Sequence, residues 1–351
     1  MQIVNYQCDK PYGVFNTMAI TRVRLIDIAR KTGVTVNTVS HALKDKEDIS
    51  AKTRKRIKRV AEAMGYITDS IAESLRSGST RTVAVILGDI SNPHFAIMIK
   101  EIEAALSAFR YHTFVINTNE DYETEKQAVF SALGKKVDGI ILCPCQKGID
   151  DIEFLKKSGT PFVLIGRHIN DTSVDYAIVD DIKGGYLATA HLIERGHKEI
   201  LFLNGPLYIS SAVERFEGYK KALKEHGIAF SKKLVREITV TQGEVQHEVK
   251  KIMDEGVTFT AIFAFSDLIA WETIYALNTM GIRVPEDIAV AGFDDIQAKL
   301  FFPIPLTSIG TVKGRMSTSA VEILMKKIEG KNAKNYFNSV IDTCLVVRKT
   351  T

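Results

Sequence analysis

Residues Thr32–Leu43 read TGVTVNTVSHAL, and with the preceding LIDIARK they decide the architecture of the amino-terminal part of the chain. In LIDIARKT, residues 25–32, Leu25, Ile28 and Ala29 recur at helical spacing, and Gly33 follows where a left-handed residue can end a helix. Thr35 is a suitable cap for a second helix. Along that helix Val36, Val39, Ala42 and Leu43 fall on one side, while Asn37, Thr38, Ser40 and His41 lie on the other. Ser50 caps a third helix, in which Ile57, Val60, Ala61 and Met64 share a face. Helix, glycine-containing turn, helix is the arrangement that fits its second helix into the major groove and presents that helix's first side chains to base edges.

The charge distribution agrees with a nucleic-acid partner. The 351 residues carry a net charge of +4, but Ala19–Arg81 holds fourteen Lys/Arg against seven Asp/Glu, a local net of +7, which leaves residues 82–351 at −3. A compact basic module suits a polyanion, because each neutralised phosphate releases condensed counterions. The length and the 45% hydrophobic content are enough for at least two buried cores. No apolar run approaches the ~18 residues of a membrane span, and the first residues lack the charged-then-apolar order of a secretory signal, so a cytoplasmic protein with no membrane partner is expected. Residues 1–17 match no motif, and Met18 is a second candidate start. The four cysteines, Cys8, Cys143, Cys145 and Cys344, have no second pair at zinc-site spacing. They read as structural or incidental, and no metal or cofactor is expected.

From Thr82 onward apolar strand patterns alternate with helical ones: TVAVILG, TFVIN, DGIILC and FVLIG, then YAIVD, EILFLNG, FTAIFAF and IAVAGF. This alternation predicts parallel sheets covered on both faces, and two α/β lobes fit the length better than one. Ligands of such sheets bind beyond the carboxyl ends of the strands. The polar residues found there are Asp89 through Phe95, Gly166-Arg167, Asp180-Asp181, Ser266-Asp267 and Asp294-Asp295. Carboxylates, an arginine and amides together suit a neutral polyhydroxyl ligand, which needs both donors and acceptors. His94 reads equally as a ligand contact or a surface residue. An enzyme is disfavoured: GDISNPHF follows the first strand in place of a G-x-G-x-x-G turn, and no P-loop, metal-ligand motif or nucleophile elbow is present.

Three segments in order, LIDIARKTGVTVNTVSHAL, DISAKTRKRIKRVAEAMGY and SIAESLRSG, resemble the DNA-binding headpiece and hinge of the LacI/GalR family of bacterial transcriptional regulators. Further on, IVDDIKGGYLATAHLIERGHKEILFLNGP, FAFSDLIAWETIYALNTMGIRVPEDIAVAGFDDI and PLTSI resemble its regulatory domain, whose two-lobed fold is similar to periplasmic sugar-binding proteins. The resemblance implies an all-α helix-turn-helix headpiece at 19–66, after an unassigned extension at 1–18, and a hinge at 67–80. An effector-binding and dimerisation domain at 81–351 would follow, with lobe 1 at about 81–179 and 310–341 and lobe 2 at about 180–309 and 342–351. It places Thr35, Val36, Asn37, Thr38, Ser40 and His41 on operator DNA, with Val36 and Asn37 as the principal reading pair, so Val36 is claimed both by packing and by the groove. Leu75, with Ala72 beside it, takes the place of the hinge leucine that wedges between base pairs in the minor groove.

For the effector the resemblance implies Arg215 and Asp294 as cleft residues, joined by Asp89, Asn92, Phe95, Arg167, Ser266 and Asp267. Two departures stand out: His41 replaces the family's usual arginine, and Ser266 its usual asparagine. The expected protein is a homodimeric repressor on a pseudo-palindromic operator, responsive to a sugar or sugar derivative. A nucleobase or other metabolite is the alternative effector. A sugar-binding protein without regulatory DNA binding is the alternative class, and residues 21–78 argue against it.

Overall fold

The computed structural model describes residues 23–67, 74, 78–239, 244–312, 314–330 and 335–351. Ala72 and Leu75, and with them the hinge reading, lie outside the described residues, as does the extension at 1–18. The chain divides into two units, residues 1–73 and 74–351.

The first unit holds three helices: α1 (Leu25–Thr32), α2 (Val36–Leu43) and α3 (Ala51–Ala63). Their ends follow the local chemistry. Gly33, at φ +66°, ends α1, and the N–H of Val34 reaches the Ala29 carbonyl at 3.2 Å. The Thr35 hydroxyl accepts from the Thr38 N–H at 3.2 Å, and the Ser50 hydroxyl from the Thr53 N–H at 3.3 Å. Ile28, Ala29, Val39, Ala42, Ile57 and Ala61 form the buried centre. Val36 is not part of it: the side chain is 41% exposed, so the periodicity that grouped it with Val39 and Ala42 is corrected. At the first position of α2 it has no preceding helical turn to cover it.

The second unit contains two six-stranded sheets. The first comprises β1 (Thr82–Leu87), β2 (His112–Asn117), β3 (Gly139–Leu142), β4 (Phe162–Ile165), β5 (Tyr176–Val179) and β11 (Asn338–Ile341), in the order β11-β5-β4-β3-β1-β2, all parallel. The second comprises β6 (Ile200–Asn204), β7 (Val235–Glu237), β8 (Ala261–Ala264), β9 (Ala289–Phe293), β10 (Thr307–Thr311) and β12 (Thr343–Val346), in the order β12-β10-β9-β8-β6-β7, parallel except where β12 runs against β10. Strands such as TVAVIL are buried almost throughout, as parallel strands covered on both faces must be. The chain changes lobe after β5, after β10 and after β11. Gly310 and Thr311 pair in the second sheet, so the middle change comes after Thr311 and not at 310.

The helices that matter to the cleft are α4 (Pro93–Ala108) of the first lobe and α7 (Asp181–Glu194), α8 (Ser210–Glu225) and α10 (Asp267–Thr279) of the second. In chain order α5 (Tyr122–Gly134) and α6 (Asp150–Ser158) lie between α4 and α7, α9 (Val245–Asp254) lies between α8 and α10, and α11 (Arg315–Ile328) packs on α4 and the first sheet. Helices α7 and α8 approach to backbone contact through glycines. A Cβ on Gly185 would lie 2.3 Å from the Arg215 carbonyl oxygen, and one on Gly218 would lie 2.1 Å from that of Ile182. No side chain fits at either position, so Gly218→Ala should destabilise the protein by about 1–3 kcal/mol or more through forced separation of the helices. An unchanged midpoint of urea unfolding would show that the helices separate without cost.

Candidate ligand cleft and nucleic-acid interface

In both sheets the strand order reverses beside a central strand, between β1 and β3 in one and between β6 and β8 in the other. The loops leaving the carboxyl ends there border a crevice. Arg215, on the second turn of α8, is the central side chain of that crevice. Its Nε donates to Asp181 Oδ1 at 2.7 Å, and a terminal nitrogen donates to the Phe265 carbonyl. Its guanidinium carbon lies 3.6 Å from the Phe293 ring centroid and 4.4 Å from that of Phe265. Asp181 heads α7, so the glycine contact between α7 and α8 sets the distance across which this pair forms.

Asp294 follows β9 at φ +105° and faces the same space. Its Oδ1 lies 4.0 Å from an Arg215 terminal nitrogen and 3.6 Å from His94 Nδ1, a residue of α4 across the cleft. Neither distance is a hydrogen bond. The carboxylate is 8% exposed, flanked by two donors that stop short of it, with acceptor capacity left for a ligand.

The other expected residues divide into two groups. Asp89, Asn92, Phe95, Arg167 and Ser266 line the cleft with Arg215 and Asp294. Asn92 Oδ1 caps α4 by accepting from the His94 N–H at 3.0 Å, Asp89 Oδ1 accepts from the N–H and hydroxyl of Ser91, and the Ser266 hydroxyl caps α10. Arg167 is already committed: it pairs with both oxygens of Glu120 at 2.8 and 2.9 Å and donates to the Pro144 carbonyl at 2.9 Å. It shapes the wall more than it offers free donors. Asp267 is a correction, since it does not line the cleft. Its oxygens accept from the Ser308 hydroxyl at 2.5 Å and the Ile296 N–H at 2.8 Å, which ties down the segment after Asp294. Burial first, then the neighbouring carboxylates, hold its carboxyl well above the usual range.

Glu120, Ser211, Phe265 and His94 are also in the lining. His94 is the case the sequence left balanced. Glu120 gave no signal beyond lying after a strand. Cys143 also lines the cleft, and burial pushes its thiol up to about 12, which leaves it unreactive. Further bonds tie the lobes together: His168 Nε2 to Glu214 Oε1 at 2.7 Å, the Ser210 N–H to Gln146 Oε1 at 2.9 Å, and Lys299 to Glu101 at 3.5 Å.

In the first lobe, Glu125 Oε2 accepts from the Cys145 N–H at 2.8 Å. Its other oxygen and the Asp151 carboxyl are buried against each other. Burial, then the adjacent Asp151, pushes the Glu125 carboxyl up to about 8. A folded value above the ordinary 4.5 means that this contribution to stability is complete below that value and is lost as pH rises through about 8. Glu125→Gln, which cannot ionise, should therefore unfold at a higher temperature than the wild type at pH 8.5 and show no such gain at pH 5. Equal shifts at both pH values would rule out titration of this group.

On the headpiece, Asn37 is exposed beside Val36, while Thr38, Ser40 and His41 are half-buried. The Thr38 hydroxyl lies 2.9 Å from that of Thr35, and His41 Nδ1 lies 2.5 Å from Asp48 Oδ2. Helix α3 brings six basic residues, Lys52, Arg54, Lys55, Arg56, Lys58 and Arg59, and Arg56 donates to the Thr32 carbonyl at the end of α1. Among the described residues no helix is long and apolar enough to cross a membrane, and no cluster of three His, Cys, Asp or Glu side chains is placed to hold a metal ion.

A basic helix-turn-helix unit joined to an α/β unit with a polar cleft between two lobes defines a class, the DNA-binding regulators that answer to a small ligand. Residues 24–69 match the bacterial regulatory proteins of the lacI family, and residues 80–349 match the periplasmic binding proteins and sugar binding domain of the LacI family. The HTH-type transcriptional repressor PurR of Pasteurella multocida (strain Pm70) is 31% identical over 327 residues, 92% of this chain and 97% of that protein. Of solved structures, the transcriptional regulator CelR in complex with cellobiose is 27% identical, with a TM-score of 0.71 over 94% of this chain and 100% of that one. The Lac repressor dimer bound to operator and the anti-inducer ONPF is 25% identical, with a TM-score of 0.81 over 94% and 99%. The chain belongs to the LacI family of bacterial regulatory proteins, and these relatives are regulators and not enzymes.

Proposed function

We propose that this protein is a transcriptional repressor that binds its operator as a homodimer and changes operator affinity when a small polar ligand enters the cleft between its lobes. Helix α2 reads the major groove through Val36, Asn37, Thr38, Ser40 and His41, with Thr35 fixing the helix start. The exposure of Val36, an aliphatic side chain beside Asn37 at the head of a capped helix, supports that reading. Ala72 and Leu75 supply the minor-groove wedge that the resemblance implies. The relatives named as repressors and the operator-bound Lac repressor dimer support both the DNA partner and the dimer.

The observation that carries the ligand site is the Asp294 carboxylate, held between Arg215 and His94 beyond hydrogen-bond reach of either. A sugar hydroxyl satisfies this arrangement, donating to Asp294 while a neighbouring hydroxyl accepts from Arg215. CelR with cellobiose supports a sugar. A nucleobase is the second reading, supported by the relatives named PurR and by the Phe95 and Phe265 rings in the lining, against which a planar base can stack. Asp181 and Arg167 contribute by holding Arg215 and the wall, not by touching ligand.

Asn37→Ala should cost about 1–3 kcal/mol at one operator position and relax base preference there. A uniform loss across all sequences, measured by competition binding, would mark a backbone contact instead. For the cleft, Asp294→Ala is a sharper test than Arg215→Ala, because Arg215 also braces Asp181 and Phe265. Thermal shift with a panel of sugars, sugar phosphates and nucleobases should find a ligand that raises the wild-type melting temperature. Asp294→Ala should abolish that rise while ligand-free operator binding persists. A retained shift would place the ligand elsewhere, and the chemical class of the stabilising compound separates the two readings.

A further inference from the structure

The loop after α2, residues 44–49, is held in place by the rest of the headpiece. Asp45 takes two contacts at 2.7 Å from the Lys58 ammonium. Arg54 donates to the carbonyls of Lys46 at 2.7 Å and Ile49 at 3.1 Å, and the N–H groups of Lys44 and Lys46 both reach the His41 carbonyl. Asp48 sits on this anchored loop with its side chain 54% exposed, and its carboxylate meets His41 Nδ1 at 2.5 Å. So exposed a pair contributes little to stability. What it fixes is geometry: the rotation of the imidazole ring and the nitrogen that faces outward.

We propose that Asp48 is a positioning residue for base reading, holding the Nδ1–H of His41 so that Nε2 is the atom offered to the operator. The proposal rests on the assignment of α2 to the major groove. In a neutral ring whose proton is held on Nδ1, Nε2 is a bare acceptor. Its partners in the major groove are amino groups, N6 of adenine or N4 of cytosine, whereas guanine presents only the acceptors N7 and O6. At the base facing His41 this chain therefore selects adenine or cytosine, where an arginine at the same place selects guanine. The rival role for Asp48 is a plain clamp between α2 and its loop, which would affect all DNA sequences alike.

The test is selection of binding sites from a randomised operator library by the full-length protein. Competition binding then compares wild type, Asp48→Ala, Asp48→Glu, His41→Ala and the double variant. One position should prefer adenine or cytosine over guanine by about fivefold or more, the scale of a single hydrogen bond. Asp48→Ala should reduce that preference to about twofold or less at that position alone, Asp48→Glu should retain most of it, and Asp48→Ala should change nothing further in the His41→Ala background. An equal loss of affinity on all sequences in Asp48→Ala, an unchanged base preference, or a guanine preference in the wild type overturns the proposal. Failure of the wild type to select any site would instead overturn the assignment of α2 to DNA, and the proposal with it.

Discussion

The cleft depends on two hydrogen atoms where side chains would ordinarily stand. With glycine at 185 and 218, α7 and α8 touch backbone to backbone, and only at that distance do Asp181 and Arg215 meet at 2.7 Å. Once paired, the buried guanidinium has its Nε spent on Asp181 and one terminal nitrogen on Phe265, with the Phe293 and Phe265 rings close by, leaving a single terminal nitrogen near Asp294. A buried cation without such partners would cost several kcal/mol. Close helix packing, a fixed arginine and a partly satisfied carboxylate are thus successive consequences of one steric fact.

Much of this was legible before any coordinates. Gly33, Thr35 and Ser50 mark helix ends by local rules that need no tertiary context, and all three act as read. Alternating apolar runs and polar strand ends are similarly local, which is why Asp89, Asn92, Phe95, Ser266 and Asp294 come together in one lining, whereas Arg215, on a helix, came only from the family resemblance. What escaped depends on partners distant in sequence. Arg167 and Glu120 are separated by 47 residues, and Asp267 and Ser308 by 41. Nothing near Arg167 or Asp267 says that its polar atoms are taken. The packing half of the Val36 reading failed for the opposite reason: periodicity describes a helix as if it were covered along its whole length, and the first turn of α2 is not.

The two units also solve different stability problems. Among the described residues the headpiece buries six hydrophobic side chains at its centre, and caps and cross-links such as Arg54 to the 44–49 loop supplement that small core. The lobes have large cores and can carry costly features, among them the adjacent buried carboxyls of Glu125 and Asp151 and Asp294 at positive φ. Of these, Asp294 lines the cleft, where a ligand can meet it.

The chain passes from one lobe to the other three times, after Val179, after Thr311 and after Ile341, each time by a connection of only a few residues before the next element begins. One tether would let the lobes swivel, and two would let them twist about the line joining the attachment points. Three short tethers leave fewer of those freedoms than one or two would, which narrows the ways in which the lobes can move against each other. Free energy released by a ligand on one side of the cleft then has few modes into which it can dissipate. On the ligand reading proposed above, it would act on the separation of the lobes on the far side of the tethers, as a force on one end of a lever moves the other.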